Sequence, residues 1–298
     1  MGRGNPGSII VACALCAAAT AAGCEGPQFT APETLGGKTV SVDSLNRGRR
    51  LYRRTCAGCH GPQGDGQGAA ADGMKPAPRD FTRGSFKFCS TASGGLPLDD
   101  DLLRTVRRGL HGTHMPGWGK APDSDVQAVV DYIKTFSPRW RVETPPPPVA
   151  LSPDPWAGAH EKGAQEGRFV YHAKAQCWTC HPSYADQGEI EAMARRVPRD
   201  AEPQPMAWRS SMNSSREVMA DYGMDTPPDF RKDTLRSDDE DTDLYRTIAA
   251  GIGGTPMKAW SARLTTSELW ALVHYVRELQ KRPTQPARWS SGAEASER

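Results

Sequence analysis

Two stretches of this 298-residue chain, residues 56–60 and 177–181, have the pattern Cys-x-x-Cys-His and constrain its fold more than any other feature. Within one helical turn, two thiols can reach the two vinyl groups at one porphyrin edge while the histidine turns under the iron. A single copy could also belong to a zinc site or to a redox Cys-x-x-Cys. Two copies predict covalent attachment of c-type haem. The residues are Cys56, Cys59 and His60 in the first stretch and Cys177, Cys180 and His181 in the second.

A methionine-containing loop follows each stretch, and the two loops share glycine, threonine, methionine and tryptophan in one register. They occupy residues 112–118 and 254–260, with Met115 and Met257 at the shared position. A thioether opposite histidine raises the haem potential and closes the sixth coordination position, which favours electron transfer over substrate binding. Methionine also fills gaps in hydrophobic cores, but its recurrence at one place in a repeat favours ligation.

The repeat extends beyond these predicted ligands. Residues 101–105 align with 243–247, and Gly109 aligns with Gly251, at a constant offset of 142 residues. The further matching stretches are 79–81 with 228–230 and 48–52 with 167–171. The chain is therefore predicted to contain two copies of one unit.

The motifs and their order resemble those of class I cytochromes c, over about residues 40–140 and 158–281. The resemblance implies an all-α fold with two tandem class I cytochrome c domains, each a small helical wrap around its haem. The cofactors that it implies are two haem c groups with iron. The protein expected from it is an electron carrier rather than a catalyst.

The resemblance also assigns roles to single residues. Trp118 and Trp260 would pack on or beside the haems. Backbone carbonyls would orient the proximal histidines, and the candidates are Pro76 or Pro78 and Pro227 or Pro228. The axial pairs are His60 with Met115 and His181 with Met257, and the tethers are Cys56, Cys59, Cys177 and Cys180.

Helical spacing of apolar residues predicts the last helix of each unit, which we expect to pack on the helix that precedes the haem motif. Thr265 and Glu268 form a predicted capping box, and Asp123 or Ser124 is the expected N-cap in the first unit. The buried stripes are Val126, Val129, Val130 and Ile133 in the first unit and Leu269, Leu272, Val273 and Val276 in the second.

A run of four prolines separates the two units and favours a stiff, extended connector. An insertion in the second unit could be a lid, a docking surface or a source of another methionine ligand. The predicted division is a signal peptide at 1–23, a flexible N-terminal segment at 24–39, a first domain at 40–143, a Pro-rich linker at 144–157, a second domain at 158–282 with the insertion at 183–226, and a disordered tail at 283–298.

The N-terminus is typical of an export signal, because Arg3 precedes an apolar stretch at residues 9–22 that is too short to span a membrane comfortably. Small residues directly before Cys24 resemble a bacterial lipoprotein cleavage site, which makes Cys24 a candidate for lipid attachment and membrane anchoring. Ala21 departs from that pattern, and ordinary signal cleavage is the alternative. The expected location is the periplasm or the outer face of a bacterial membrane.

Cys89 remains after the haem, lipid and signal-segment cysteines are accounted for. It could be a buried free thiol, form an intermolecular disulfide, or replace Met115 as an axial thiolate, and the buried thiol is favoured. The other candidate ligands have no partner in the repeat, so surface or capping roles are favoured for them; they are His111, His114, His160 and His172.

Charge is unevenly distributed along the chain, and nucleic acid is not an expected partner, because the sequence has no nucleic-acid-binding module and the expected compartment does not suit one. Residues 36–143 carry 17 Lys and Arg against 11 Asp and Glu, a net charge of +6. Residues 151–282 carry 17 against 20, a net charge of −3. The basic side chains of the first helix could steer an acidic partner, lie near an anionic lipid surface, or only be solvated.

The predicted function is electron transfer through two haems in a bacterial respiratory or periplasmic chain. Its donor and acceptor would be redox proteins, either a respiratory complex or a soluble cytochrome. The alternatives are a di-haem peroxidase, a sulfur-compound dehydrogenase, or an electron-entry subunit of a larger oxidoreductase complex. A peroxidase needs an open iron position, which two methionine loops argue against.

Overall fold

The computed structural model of this chain describes residue 1 and residues 28–198, 200, 226–236 and 240–281, and these residues are mostly helical. The helices are α1 Val42–Thr55, α2 Ala57–His60, α3 Asp99–Arg108, α4 Asp123–Lys134, α5 Arg139–Val142, α6 His160–Phe169, α7 Gln187–Ala194, α8 Asp241–Ala250 and α9 Thr266–Lys281. A π-helical turn at Val170–Lys174 and a 3-10 turn at Cys177–Thr179 follow α6. The predicted helical fold class is thus confirmed in its coarse form.

A small antiparallel hairpin, β1 Glu33–Leu35 and β2 Lys38–Val40, precedes α1. It lies in the segment that we expected to be flexible. The side chain of Leu35 is buried in the core, and the Gly36 N–H donates to the carbonyl of Trp140 at 2.6 Å. The hairpin is thus held in place by residues far away in the sequence, although its own sequence gives no strong strand signal.

Two clusters of buried hydrophobic residues form the core. One is built around α1, α3 and α4, and the other around the π-helical turn, α7, α8 and α9. The predicted stripes are buried in these clusters at all eight positions, namely Val126, Val129, Val130, Ile133, Leu269, Leu272, Val273 and Val276. We use first half for residues 28–143, connector for 144–157 and second half for 158–281.

Two glycines allow the close helix crossings on which each cluster depends. A Cβ added to Gly48 would lie 1.9 Å from the carbonyl oxygen of Ala128, where α1 crosses α4. A Cβ on Gly167 would lie 1.9 Å from the carbonyl oxygen of Ala271, where α6 crosses α9. The expected packing of the helix before each haem motif against the last helix is therefore present in both halves.

The two predicted helix caps have different outcomes. At α9, the Glu268 N–H donates to Thr265 Oγ1 at 3.3 Å, and the Thr265 N–H donates to Glu268 Oε2 at 2.8 Å, which confirms the capping box. At α4, Pro122 occupies the N-cap position and no side chain caps the helix. The predicted cap by Asp123 or Ser124 is wrong, because the extended Pro122 already ends the loop and Asp123 lies in the first turn.

Backbone hydrogen bonds join the two halves directly. The Ser93 N–H donates to the carbonyl of Ala250 at 2.7 Å, and the Gly253 N–H donates to the carbonyl of Lys87 at 3.2 Å. Arg108 Nη1 lies 3.5 Å from Asp243 Oδ2. A segment of the first half, residues 85–93, therefore lies against the loop that leads to Met257.

The connector is held against the second half at its C-terminal end. Trp156 Nε1–H donates to the carbonyl of Ser267 at 2.9 Å, and Trp270 Nε1–H donates to the carbonyl of Ser152 at 3.0 Å. Val149 and Trp156 pack against the second hydrophobic cluster. The C-terminal part of the connector is thus packed on the second half.

Several sequence predictions fall on residues outside those described. They are the signal peptide, Cys24, residues 201–225 of the predicted insertion, and the tail at 283–298. The described part of the insertion contains α7, which begins at a capping box of Asp186 and Glu189. Its Ile190 and Met193 are buried in the second cluster, so this part of the insertion belongs to the core.

Candidate functional site

The first candidate site begins where α1 ends at the Cys-x-x-Cys-His motif. The His60 N–H donates to the carbonyl of Cys56 at 2.9 Å, so the motif closes into the single helical turn that its spacing predicts. The hydroxyl of Tyr52 donates to the carbonyl of Gly61 at 2.7 Å and fixes the end of this turn against α1. Both motif cysteines and the imidazole therefore face a common cavity.

This cavity collects every site residue predicted for the first half. Its walls are mainly apolar and include side chains of α1, α3 and α4. The predicted residues that line it are Cys56, Cys59, His60, Met115 and Trp118. Residues separated by some sixty positions along the chain are thus brought to one space of the kind that a large apolar cofactor needs.

The imidazole of His60 is held in one tautomer by a backbone carbonyl. Its Nδ1 lies 3.0 Å from the carbonyl oxygen of Arg79, so Nδ1–H is the donor and Nε2 keeps its lone pair. The ring stacks on Phe81 with 4.6 Å between centroids, and burial lowers the pKa of His60. A neutral imidazole with a free Nε2 lone pair is the form that ligates iron.

The prediction that Pro76 or Pro78 supplies this carbonyl is wrong. Arg79, the next residue along the chain, supplies it instead. The repeat carried the signal that would have found it, because Arg79 aligns with Pro228 in the second half. The backbone carbonyl is the acceptor, so this hydrogen bond does not constrain the side-chain type at this position.

The methionine loop of the first half is closed by short-range hydrogen bonds. The Leu110 N–H donates to the carbonyl of Met115 at 3.1 Å, and the Met115 N–H donates to Thr113 Oγ1 at 3.1 Å. Gly109 has a φ of +72°, and a Cβ there would lie 2.6 Å from the Met115 carbonyl oxygen. Glycine at the end of α3 therefore lets the loop turn back and direct Met115 to the cavity.

The second candidate site repeats the proximal arrangement. His181 Nδ1 lies 3.0 Å from the carbonyl oxygen of Pro228, and the His181 ring stacks on Phe230 with 4.9 Å between centroids. The hydroxyl of Tyr171 donates to the carbonyl of Pro182 at 2.8 Å. Of the two prolines that the sequence left open here, Pro228 is the one in contact.

The second methionine loop also matches the first. The Ile252 N–H donates to the carbonyl of Met257 at 3.1 Å, and the Met257 N–H donates to Thr255 Oγ1 at 3.2 Å. Met257 and Trp260 are partly buried and pack against the second hydrophobic cluster, as does Cys177. The same hydrogen-bond pattern around both methionines supports the equivalence of the loops.

The halves differ in the segment between the tyrosine and the haem motif. Tyr52 lies four residues before Cys56, whereas Tyr171 lies six residues before Cys177. The π-helical turn and the left-handed backbone of Gln176, with a φ of +54°, absorb the two additional residues. The hydrogen bond from the tyrosine hydroxyl is consequently kept in both halves.

The chemistry of these donors fits a covalently attached haem. Burial raises the pKa of Cys56 and raises that of Cys177 to about 12, which disfavours the thiolate form used in zinc and redox sites. A thioether has no titratable proton and tolerates such burial. Bound haem would supply a one-electron iron centre, with imidazole and thioether as the ligands that this chain offers.

Cys89 lies beside the first cavity and does not line it. It faces a smaller pocket between the halves, together with Arg104 and Arg246, and its thiol donates to the carbonyl of Phe86 at 3.4 Å. Burial raises the pKa of Cys89 to about 12. Met115 lines the cavity and Cys89 does not, so the thioether is the better placed of the two candidate ligands.

Three of the other histidines, namely His160, His172 and His274, have local hydrogen-bond partners. His160 Nδ1 lies 2.9 Å from His274 Nδ1, and His274 Nε2 lies 2.8 Å from a carboxylate oxygen of Asp154. His172 Nδ1 lies 2.8 Å from the carbonyl oxygen of Arg168. His111 is exposed, and His114 lines the first cavity beside Met115. The His160–His274 pair joins α6 to α9, and the contact of His274 with Asp154 ties the connector to α9, a role that the sequence did not indicate.

Comparison with known proteins adds a family assignment for part of the chain. Residues 43–133 match the family model described as cytochrome C oxidase, cbb3-type, subunit III. This stretch therefore contains a class I c-type cytochrome domain, which implies covalently bound haem c and haem-based electron transfer. No curated protein matches the chain.

A solved structure is similar over most of the length. It is a chain of the reducing HAO-like protein complex Kustc0457/Kustc0458 of Kuenenia stuttgartiensis, 29% identical, with a TM-score of 0.60. The match covers 78% of this chain and 95% of that chain.

Among the helices of the described residues, none is both long and apolar enough to cross a membrane.

Proposed function

We propose that this chain is an exported di-haem cytochrome c that passes single electrons between a donor and an acceptor redox protein. The observation that carries the proposal is the convergence of Cys56, Cys59, His60 and Met115 on one mainly apolar cavity. The resident group of such a donor set is haem c, and a site with both axial positions taken by the protein suits electron transfer.

In the first half, each residue would have a distinct role. Cys56 and Cys59 would tether the porphyrin edge, and the Arg79 carbonyl would keep the Nε2 lone pair of His60 directed to iron. Met115 would close the sixth position. Removing the open coordination site leaves outer-sphere electron transfer as the chemistry that the site supports.

The proposal of a second haem rests on the repeated geometry. His181 and Pro228 reproduce the histidine-to-carbonyl distance of the first half, and Phe230 reproduces the stacked ring. Cys177 and Cys180 would be the tethers and Met257 the second thioether ligand. A single-haem protein would have no need to keep these contacts in both halves.

The location and a second candidate role are also proposals. A cytochrome c domain, together with the apolar stretch at residues 9–22, supports export to the periplasm, with Cys24 as the candidate lipid anchor. The similar solved chain belongs to a reducing HAO-like complex. That likeness favours, as the second candidate, an electron-entry subunit of a larger oxidoreductase complex, which would copurify with a stoichiometric partner.

Haem stoichiometry and ligand replacement test the main proposal. The pyridine haemochrome assay on purified protein should give two c-type haems per chain. Met115→Leu and Met257→Leu should each remove about half of the methionine-to-iron charge-transfer absorption and open one iron to cyanide. A count of one haem or none, or ready cyanide binding by the unaltered protein at rest, would contradict the proposal.

Two other methionines provide matched controls. Met74 also lines the first cavity, and Met193 is buried in the second cluster, yet neither lies at the repeat position. Met74→Leu and Met193→Leu should leave the charge-transfer absorption and the resistance to cyanide unchanged. Loss of the band in Met74→Leu would instead identify Met74 as the first thioether ligand.

A further inference from the structure

The charged side chains among the described residues that line the first cavity are all positive. The inference drawn from them rests on the proposed function and deepens it. Among the described residues that line the cavity are the cationic side chains of Arg79, Lys87 and Arg236, and none is Asp or Glu. Haem c carries two propionate carboxylates besides its apolar ring. The apolar walls of the cavity therefore match the haem ring, and its cationic side chains match the propionates.

One of these cations comes from the other half of the molecule. Arg236 follows Leu235, which is buried in the second hydrophobic cluster, and lies six residues after Phe230, which stacks on His181. Arg236 nevertheless lines the cavity that contains His60, and it also lines the adjacent smaller pocket that contains Cys89. Arg236 thus belongs to the second half by its place in the chain, and its charge acts on Lys87 of the first half.

The backbone contacts between the halves keep this arrangement in place. The carbonyl of Lys87 accepts the Gly253 N–H at 3.2 Å, so the residue that carries one cation is itself tied to the second half. A Cβ on Gly254 would lie 3.4 Å from Arg79 Nη1, which places Arg79 at the same junction. All three cations are therefore at the contact between the halves.

The electrostatics of the cluster favour an anion among these side chains. Burial, with Arg79 and Arg236 as further causes, lowers the pKa of Lys87 to about 8. Like charges that repel one another at a partly buried site are stabilised by an intervening carboxylate. The two propionates are carboxylates that a haem bound in this cavity would bring.

We propose that Arg236, with Arg79 and Lys87, binds the propionates of the first haem, so that the second half supplies a positioning residue for the haem of the first half. A cation close to a haem stabilises the reduced iron relative to the oxidised iron. The redox potential of the first haem consequently depends on the docking of the second half.

A spectroscopic redox titration of the full-length holoprotein tests this inference. Arg236→Gln should lower the midpoint potential of the first haem and leave that of the second unchanged. Arg236→Lys should restore most of the shift, because it keeps the charge. Each haem gives one redox transition in the titration, which is called its wave. The wave of the first haem is identified in a Met115→His background, in which loss of the thioether lowers the potential of that haem.

The matched control removes one positive charge from the same loop. Lys232 is largely exposed and pairs with Asp229, and Lys232→Gln should move neither wave. Should Arg236→Gln not be recovered as holoprotein, Lys87→Gln tests the same cluster from the first half, with the same expected fall. An unmoved first wave in the variant recovered, or a shift equal to that of Lys232→Gln, would overturn the inference.

Haem counting separates this result from the test of the proposed function. Two haems in every variant with an unmoved first wave would reject the role of Arg236 and leave the di-haem cytochrome intact. Fewer than two haems in the unaltered protein would reject the proposed function itself. Resonance Raman bands of the propionates give an independent readout, and they should change in Arg236→Gln and not in Lys232→Gln.

Discussion

Single atoms decide the chemistry of His60 and His181, the two proposed proximal histidines. Nδ1 of His60 is 3.0 Å from the Arg79 carbonyl oxygen, and Nδ1 of His181 is the same distance from that of Pro228. In both cases the backbone carbonyl of a loop residue takes the Nδ1 proton, which leaves Nε2 as the atom for the proposed iron ligation. A side-chain substitution at Arg79 should consequently leave this hydrogen bond intact, whatever its effect on the propionate cluster.

At the residue scale, Cys89 should be an unreactive thiol. With a pKa of about 12, its thiolate fraction at pH 8 is roughly a thousandfold below that of an ordinary cysteine. We expect alkylation of Cys89 by iodoacetamide in the native holoprotein to be slower by about that factor than in urea. The four motif cysteines would not react under either condition, because they would be thioethers. Mass spectrometry of timed samples measures both rates.

The variant Cys89→Ala tests whether the Cys89 thiol is a ligand of the first haem. Cys89→Ala should keep the methionine-to-iron charge-transfer band of the first haem, because the thiol lies outside the cavity. Native alkylation as fast as in urea would contradict the burial argument, and a changed haem spectrum in Cys89→Ala would revive the thiolate ligand.

His172 should make the protein sensitive to acid. His172 is 1% exposed, its Nε2 has no hydrogen-bond partner among the described residues, and burial lowers its pKa to about 4. The unfolded chain takes up this proton at about pH 6.5 while the folded chain does not. The free energy of unfolding therefore falls as the pH drops from 6.5 to about 4, by about 3 kcal/mol in total.

The variant His172→Phe removes that titration while keeping an aromatic ring against Tyr171 and Tyr275. Urea unfolding at pH 7 and at pH 4.5 should show a smaller loss of stability in this variant than in the unaltered protein. Equal losses in the two proteins would show that His172 is not the group responsible.

At the scale of secondary-structure elements, the helix crossings at Gly48 and Gly167 are the most restrictive contacts. A methyl group at either position would overlap a backbone carbonyl oxygen that cannot move away without breaking its helix. We expect Gly48→Ala and Gly167→Ala each to destabilise the holoprotein by about 3 kcal/mol. Thermal unfolding followed by circular dichroism measures the loss.

Two other helical glycines serve as controls for these substitutions. A Cβ on Gly58 would meet nothing within 4 Å, and one on Gly188 would make an ordinary contact at 3.5 Å. Gly58→Ala and Gly188→Ala should be neutral or slightly stabilising, because alanine favours helix. A control that destabilises as much as Gly48→Ala would mean that the crossing distance is not the cause.

At the scale of the whole molecule, the haems should be part of the core. The first cavity lies between α1, α3 and α4, and its apolar walls would be in contact with water if haem were not attached. Only 37% of the residues are hydrophobic, so little other apolar volume is available to fill this space. Folding and haem attachment should therefore be coupled.

Replacing the four tethers, Cys56, Cys59, Cys177 and Cys180, by alanine tests this coupling. The resulting apoprotein should show no cooperative thermal transition and should bind a hydrophobic dye. A cooperative melt like that of the holoprotein would contradict the expectation. Haem added without attachment should restore part of the transition, which distinguishes loss of the cofactor from an effect of the substitutions.

The sequence by itself determined the local features: the two motifs, the two methionine loops, the buried stripes of α4 and α9, and the capping box at Thr265. Each of these depends on residues a few positions apart, whose geometry follows from the helical turn. The repeat also aligned Arg79 with Pro228. The prediction nevertheless followed residue type, and it therefore chose a proline, Pro76 or Pro78, instead of Arg79.

Only the tertiary structure decided which distant groups meet. Four features all join residues far apart in the chain: the hairpin held by Trp140, the docking of the connector on α9, the place of Cys89 outside the first cavity, and the place of Arg236 in the lining of that cavity. No periodicity records such contacts, because they are set by how the helices cross and how the two halves pack.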